Sequence, residues 1–184
     1  YTTLELTASE IHEIGLKEVK KIRNEMKQII KSLNYGKDFK SFLNYLRTDK
    51  KFYAKSPREL LMIAREISKR LDEKLPEFFK TLPRKPYGVA AVPDAIAPKY
   101  TGGRYIPASN KTRSSAYYWV NTYDLKSRPL YTLPALSAHE AVPGHHLQIA
   151  LNEEGNKNIP VFRKDFYLSA YGEGWGLYAE SLAD

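Results

Sequence analysis

The chain has 184 residues, of which 29 are Lys or Arg, 21 are Asp or Glu and none is Cys. The absence of cysteine excludes disulfides and thiolate metal ligands, and no run of about 18 apolar residues is present to span a membrane. The net charge of +8 is spread among acids along amphipathic segments, so we interpret it as a solvated face and expect no nucleic-acid partner.

Helical periodicity dominates the first part of the chain. A capping box at residues 7–10 begins a first helix, and Asn34-Tyr35-Gly36 predicts its end. Residues 39–46 predict a shorter second helix. A second capping box at 56–59, with proline at the first helical position, begins a third helix, and we expect the prolines at 76, 83 and 86 to close this helical part of the chain. The apolar residues that define these helices are Ile11, Ile14, Ile22, Met26, Ile29, Leu33, Phe39, Phe42, Leu43, Leu46, Leu60, Ile63, Ala64, Ile67, Leu71 and Leu75.

Three short segments after Tyr87 are rich in β-forming side chains. They are residues 87–92, 102–106 and 115–122, and Pro or Gly lies at their borders. We predict that they form a small antiparallel sheet of about three strands.

Helical periodicity returns over residues 133–152, and again after 156–160. The sequence therefore predicts a mainly α (α+β) fold. We expect one domain, and its parts are a helical part at 1–86, a sheet region at 87–132 and the helices of a metal site at 133–184. The chain lacks an initiator Met and ends inside a helical pattern, so we expect it to be a piece of a longer protein.

Three of the four histidines lie within eight residues, at His139, His145 and His146, and Glu140 follows the first of them. A His-Glu pair followed by another His is typical of zinc peptidases, in which the imidazoles hold the metal and the glutamate acts on its bound water. In those helices the two histidines are four residues apart. On a straight helix, His145 would lie about 600° around and His146 about 10.5 Å along the axis from His139, so neither could share an ion with it.

Pro143 and Gly144 offer a way to bring the imidazoles together. Proline lacks the N–H that would bond the carbonyl of His139, and glycine tolerates unusual dihedral angles. We predict that the helix bulges here and returns His145 towards His139. His146 remains an alternative second ligand, or a partner of the ligands.

A third ligand is needed to leave one coordination position for water. Glu173 lies 28 residues beyond His145, and antiparallel packing of two helices would bring it close. Glu180 lies two turns further, and we predict that it orients a ligand imidazole. Three glycines surround this glutamate, at 172, 174 and 176, and they indicate close approach of the helix to a neighbour or to a substrate. The expected cofactor is Zn²⁺, by ligand type.

The stretch from His139 to Gln148, the segment Gly172–Glu180 and the early residues 6–16 resemble the bacterial family known as domain of unknown function 885. Its members are often labelled lipoproteins, so the resemblance implies a periplasmic or cell-envelope location. More distantly, that family is similar to gluzincin-like helical zinc peptidases of the thimet oligopeptidase and angiotensin-converting enzyme type. This likeness implies that His139, His145 and Glu173 bind zinc. A further catalytic tyrosine or histidine of such peptidases would lie beyond Asp184.

The resulting hypothesis is a zinc-dependent peptidase domain that cleaves a peptide or small protein through a metal-activated water, with Glu140 as the general base. The alternative is a non-catalytic, metal-stabilised binding module of a cell-envelope lipoprotein. A purely structural zinc site is less consistent with three candidate ligands, because structural sites usually fill all four positions with protein side chains. The sequence does not indicate the substrate, the cleavage specificity or the oligomeric state.

Overall fold

The computed structural model describes residues 4–36, 38–108, 114–155, 159–160, 162–163 and 166–183. These residues are mainly helical with one small sheet, which confirms the predicted fold class. The chain forms two compact units, Thr2–Phe52 and Tyr53–Asp184. The third helix therefore belongs with the sheet, and the change in sequence character at residue 86 falls inside the second unit.

The first unit contains the helices α1 (Ala8–Ser32) and α2 (Phe39–Thr48). The predicted capping box at the start of α1 is present, since Glu10 N–H donates to the Thr7 hydroxyl and the Glu10 carboxylate accepts from Thr7 N–H. The helix ends before Asn34, where the sequence predicts its end, and the φ of Asn34 is left-handed at 51°.

The second unit begins with α3 (Pro57–Phe78). Ser56 caps this helix by accepting from Glu59 N–H at 3.1 Å, while the Glu59 carboxylate accepts from Lys55 N–H rather than from Ser56. The helix continues two residues beyond Pro76, because Phe79 N–H still reaches the carbonyl of Leu75 at 2.9 Å and closes the last turn.

The sheet contains β1 (Tyr87–Ala91), β2 (Gly103–Ile106) and β3 (Ala116–Val120) in the order β1-β3-β2. Three strands were expected and three are present, but the prediction of an antiparallel sheet is wrong for β1, which pairs with β3 in parallel. The chain between β1 and β3 is long enough for a parallel crossover, and it places β2 on the far side of β3, where it pairs antiparallel.

Three helices carry the candidate site: α4 (Leu133–Glu140), α5 (His145–Glu154) and α6 (Ser169–Leu182). Helix α4 packs against α3, β2 and α6, and α5 also contacts α6. The main core lies between α3, β3 and α4, and its buried members include Leu60, Ala64, Tyr118, Val120 and Leu133. Residues 156–158, part of the predicted turn before the last helix, lie outside the described residues.

Candidate metal centre

The predicted helical segment 133–152 is interrupted completely at residues 141–144, which separate α4 from α5. Gly144 N–H donates to the carbonyl of Ala138 at 2.9 Å, so the chain turns back onto the end of α4. A Cβ atom at Gly144 would lie 1.9 Å from the carbonyl oxygen of His139, a distance that no side chain tolerates. The break is thus larger than the expected bulge, and it depends on glycine at this position.

The turn brings His145 beside His139, whose rings are 4.7 Å apart between centroids and nearly perpendicular. Helix α6 adds Glu173: its Oε2 atom lies 3.2 Å from His139 Nε2 and 3.6 Å from His145 Nε2. One ligand atom from each of the three side chains lies within 4.8 Å of the other two. The three residues predicted as ligands therefore converge, although they come from three different helices.

The distances between these atoms suit a single metal ion. Ligands at about 2.0–2.1 Å from a tetrahedral ion are about 3.3 Å apart, close to the 3.2 and 3.6 Å observed between Glu173 Oε2 and the two imidazoles. Two nitrogen donors and one carboxylate oxygen form a donor set that zinc accepts in catalytic sites. The residues present thus fit a zinc ion with three protein ligands.

Glu180 lies on the other side of the His139 ring, where its Oε1 atom accepts from Nδ1–H at 2.7 Å. A carboxylate oxygen accepts, so this contact assigns a proton to Nδ1, while Nε2 lies 3.2 Å from Glu173 Oε2. A second ring proton or a cation between Nε2 and Oε2 would each satisfy that contact. Glu180 occupies the position predicted for a residue that orients the imidazole.

His139 and His145 differ in their support. The ring of His139 lies against Gly176 of α6, where a Cβ atom would come within 2.5 Å of the ring. His145 is buried, and its Nδ1 atom has no hydrogen-bond partner within the described part of the chain. Contacts with α6 therefore restrain the His139 ring, whereas the His145 ring lacks a comparable hydrogen bond.

Glu173 is the exposed member of the cluster, with 53% of its side chain accessible. Its second oxygen, Oε1, accepts from the hydroxyl of Tyr167 at 2.7 Å. This hydrogen bond, together with the nearby imidazoles of His145 and His139, lowers the pKa of Glu173. The carboxylate is thus ionised and available as a ligand at neutral pH.

Glu140, the predicted general base, is half-buried at the end of α4 and accepts from Tyr105 N–H on β2 at 2.7 Å. Burial and the hydrogen bond to Glu173 raise the pKa of Tyr167 to about 12, and the charge of Glu140 adds to this rise. Glu140 therefore lies within electrostatic reach of the hydroxyl that binds Glu173. It does not itself join the three converging ligands.

His146, the second residue of α5, lies away from the cluster and its ring faces the sheet. Its Nδ1 atom is 3.3 Å from the Tyr105 hydroxyl, and its ring packs 4.7 Å from that of Tyr87. Burial lowers the pKa of His146 to about 4, partly opposed by a hydrogen bond to the backbone of Lys85. The structure thus brings His145, and not His146, close to His139 and Glu173, and the identity of the second ligand stays a prediction.

Three residues near the site were not identified from the sequence. Tyr105 and Tyr167 bind Glu140 and Glu173, and Trp175 donates from Nε1 to the carbonyl of Pro143 at 2.8 Å. Only Trp175 could have been found from the sequence: it lies between two glycines of a helix, and the indole N–H of a buried Trp usually finds a hydrogen-bond acceptor. The two tyrosines reach the site through tertiary contacts that no spacing indicates.

Comparisons with known proteins found a matching family model and a similar solved structure. "The putative lipoprotein from Colwellia psychrerythraea", known from its crystal structure, superimposes with a TM-score of 0.90 and is 33% identical. The match covers 98% of this chain but only 32% of that protein, so the chain spans about a third of its length. No curated protein matches this sequence. Among the described residues, no helix is long and apolar enough to cross a membrane. The family model of bacterial proteins of unknown function, DUF885, matches residues 1–184, and the chain belongs to that family.

Proposed function

We propose that this chain carries the metal centre of a zinc-dependent, peptidase-like hydrolase. The observation that supports it is the convergence of His139 Nε2, His145 Nε2 and Glu173 Oε2, with Glu140 directly after the first ligand. Three protein ligands leave a fourth position for water, as catalytic rather than structural zinc sites do. The accessible side of Glu173 gives a substrate access to this position.

The residues divide into those that would hold the ion and one that would move a proton. His139, His145 and Glu173 would hold zinc, which when bound lowers the pKa of a coordinated water towards about 7 and polarises a carbonyl. Glu140 would accept the proton of the attacking water and return it to the leaving amine. Tyr105 N–H restrains one oxygen of this carboxylate on the side of β2.

The edge of the sheet favours an extended peptide as substrate. β2 is an edge strand, and Asn121 N–H on the β3 side donates to Gly102 C=O at 2.9 Å. Because bonded and non-bonded pairs alternate in antiparallel strands, the backbone groups of Gly103 and Tyr105 face away from β3. A peptide added to this edge would pair with the Gly103 backbone, next to the Glu140 carboxylate that already occupies Tyr105 N–H.

The test is peptide-library cleavage by the purified protein with and without a chelator, together with zinc analysis. Glu140→Gln should abolish hydrolysis, a loss of at least about 100-fold, while zinc binding persists. His139→Ala should lose both hydrolysis and zinc binding. The control is Glu66→Gln, an exposed carboxylate on α3 that should leave both unchanged. Cleavage by Glu140→Gln at the wild-type rate would exclude Glu140 as the base.

The second candidate is a non-catalytic, metal-stabilised binding module of a cell-envelope lipoprotein. It is favoured by the hydrogen bond that already engages Glu140 with the Tyr105 backbone, since a purely structural carboxylate would make the same contact. The location follows the description of the similar Colwellia protein as a lipoprotein. Stoichiometric zinc with no cleavage of any library peptide, and a melting temperature that falls on chelation, would favour this module over the enzyme.

A further inference from the structure

We propose that Tyr167 is a positioning residue for the third ligand, Glu173. The role rests on the proposed metal site, but no motif or comparison assigns it. Tyr167 lies six residues before Glu173 and just outside α6, so the two side chains meet across the start of that helix. Its hydroxyl selects which carboxylate oxygen faces the two histidines.

The geometry separates the two oxygens of Glu173. Oε1 accepts from the Tyr167 hydroxyl at 2.7 Å, and Oε2 is the atom nearest to both imidazoles. A half-exposed glutamate otherwise samples several rotamers in water. With one oxygen held, the side chain is ordered before an ion arrives, and Oε2 alone is left to bind it. Hydrogen bonds of this kind to metal-binding carboxylates orient them and raise metal affinity.

Gly172 provides the space that the tyrosine occupies. A Cβ atom at this position would lie 2.2 Å from both Cζ and the hydroxyl oxygen of Tyr167. The clash would involve the far end of a side chain, so an alanine here would displace the phenol rather than the helix. Gly174, two residues later on α6, faces open space: apart from its own stretch of helix, no atom of the described residues lies within 4 Å of its Cβ position. The two glycines thus form a matched pair.

Two changes remove the contact by independent routes. Tyr167→Phe deletes the hydroxyl and keeps the ring, while Gly172→Ala keeps the hydroxyl and pushes it away. Each should weaken zinc binding by about 10–100-fold, the usual effect of losing a partner of a metal ligand. The zinc affinity of the double variant should be no lower than that of the weaker-binding single variant, because both substitutions remove the same hydrogen bond.

Zinc affinity is measured by competition with a chromophoric chelator, and the electronic spectrum of the Co²⁺ form reports on the ligand sphere. Tyr171→Phe, an exposed tyrosine of α6, and Gly174→Ala are the controls and should bind as the wild type does. The melting temperature of the metal-free protein distinguishes a positioning role from an effect on folding. Because Tyr167 is half-exposed, Tyr167→Phe should leave that melting temperature unchanged.

Wild-type zinc affinity and an unaltered Co²⁺ spectrum in Tyr167→Phe would overturn the role of Tyr167 and leave the metal site standing. If Tyr167→Phe bound zinc more weakly but the losses of affinity added in the double variant, the positioning role would also be overturned, because the two substitutions would then act separately. Failure of the wild type to bind zinc would overturn the proposed function and the positioning role together.

Discussion

Gly176→Ala should disable the proposed metal site through a single added methyl group. Gly176 lies on α6 against the face of His139, and a Cβ atom there would be 2.5 Å from Cε1 and 2.6 Å from Nε2 of the ring. Ordinary carbon contacts begin near about 3.5 Å, so the ring must retreat by about 1 Å. The hydrogen bond of 2.7 Å between His139 Nδ1 and Glu180 cannot survive that movement unchanged.

The expected cost falls on metal binding more than on folding. Ligand atoms must stay within about 0.2 Å of their ideal distances, so a shift of about 1 Å removes His139 Nε2 from the site. Zinc affinity should therefore fall by at least about 100-fold, the upper end of the effect of losing an orienting partner. Overpacking costs about 1–3 kcal/mol, and the higher helix propensity of alanine returns about 1 kcal/mol. The net loss of folding free energy is thus at most about 2 kcal/mol.

Gly174→Ala is the matched control, because it adds the same methyl group on the same helix into open space. It should bind zinc normally and gain up to about 1 kcal/mol of stability from helix propensity. The assay is zinc titration against a competing chelator, with urea unfolding of both metal-free variants. If Gly176→Ala retained wild-type affinity, or if Gly174→Ala lost as much, the inferred contact between α6 and His139 would be incorrect.

Two further predictions concern residues outside the metal cluster. His146→Phe should still bind one equivalent of zinc, as measured by metal analysis. Its free energy of unfolding should fall by about 1–3 kcal/mol, because the buried imidazole loses its hydrogen bonds. Loss of zinc in this variant would show that His146 is a ligand. Burial raises the pKa of Asp72 on α3, against the hydrogen bond from Tyr87, so its charge opposes folding above that pKa and the penalty fades as pH falls towards the ordinary value of about 3.9. Asp72→Asn should therefore melt at a higher temperature than the wild type at pH 7, with a difference that shrinks as the pH falls towards about 4 and is almost gone below it; a lower melting temperature at pH 7 would contradict this.

Local signals predicted much of the fold. Both helix starts with a Ser or Thr cap are where the sequence places them, because capping is a contact between residues three apart. The parallel pairing of β1 with β3 was missed, since the two strands are separated by β2 in sequence and strand pattern does not specify a partner. Pairing direction is a property of the whole second unit.

The candidate site divides in the same way. The spacing of His139 and His145 around Pro143 and Gly144 predicted a break in the helix, because no straight helix lets both imidazoles reach one ion. The sequence did not predict that the chain leaves the helix entirely there, nor that His146 turns towards the sheet. The position of His146 depends on ring contacts with Tyr87 and Tyr105, and such tertiary packing leaves no local signal in the sequence.

His139 is the most restrained residue of the candidate site. A Cβ atom at Gly144 would strike its carbonyl oxygen, a Cβ atom at Gly176 would strike its ring, and Glu180 holds its Nδ1 atom. Glu173, in contrast, approaches from an accessible surface and is restrained there by Tyr167. A side chain at Gly144 should therefore disturb the helix break as well as the proposed metal site, whereas changes around Glu173 should alter metal affinity while the fold remains intact. The exposed carboxylate is thus the part of the site where affinity can be adjusted without cost to the fold.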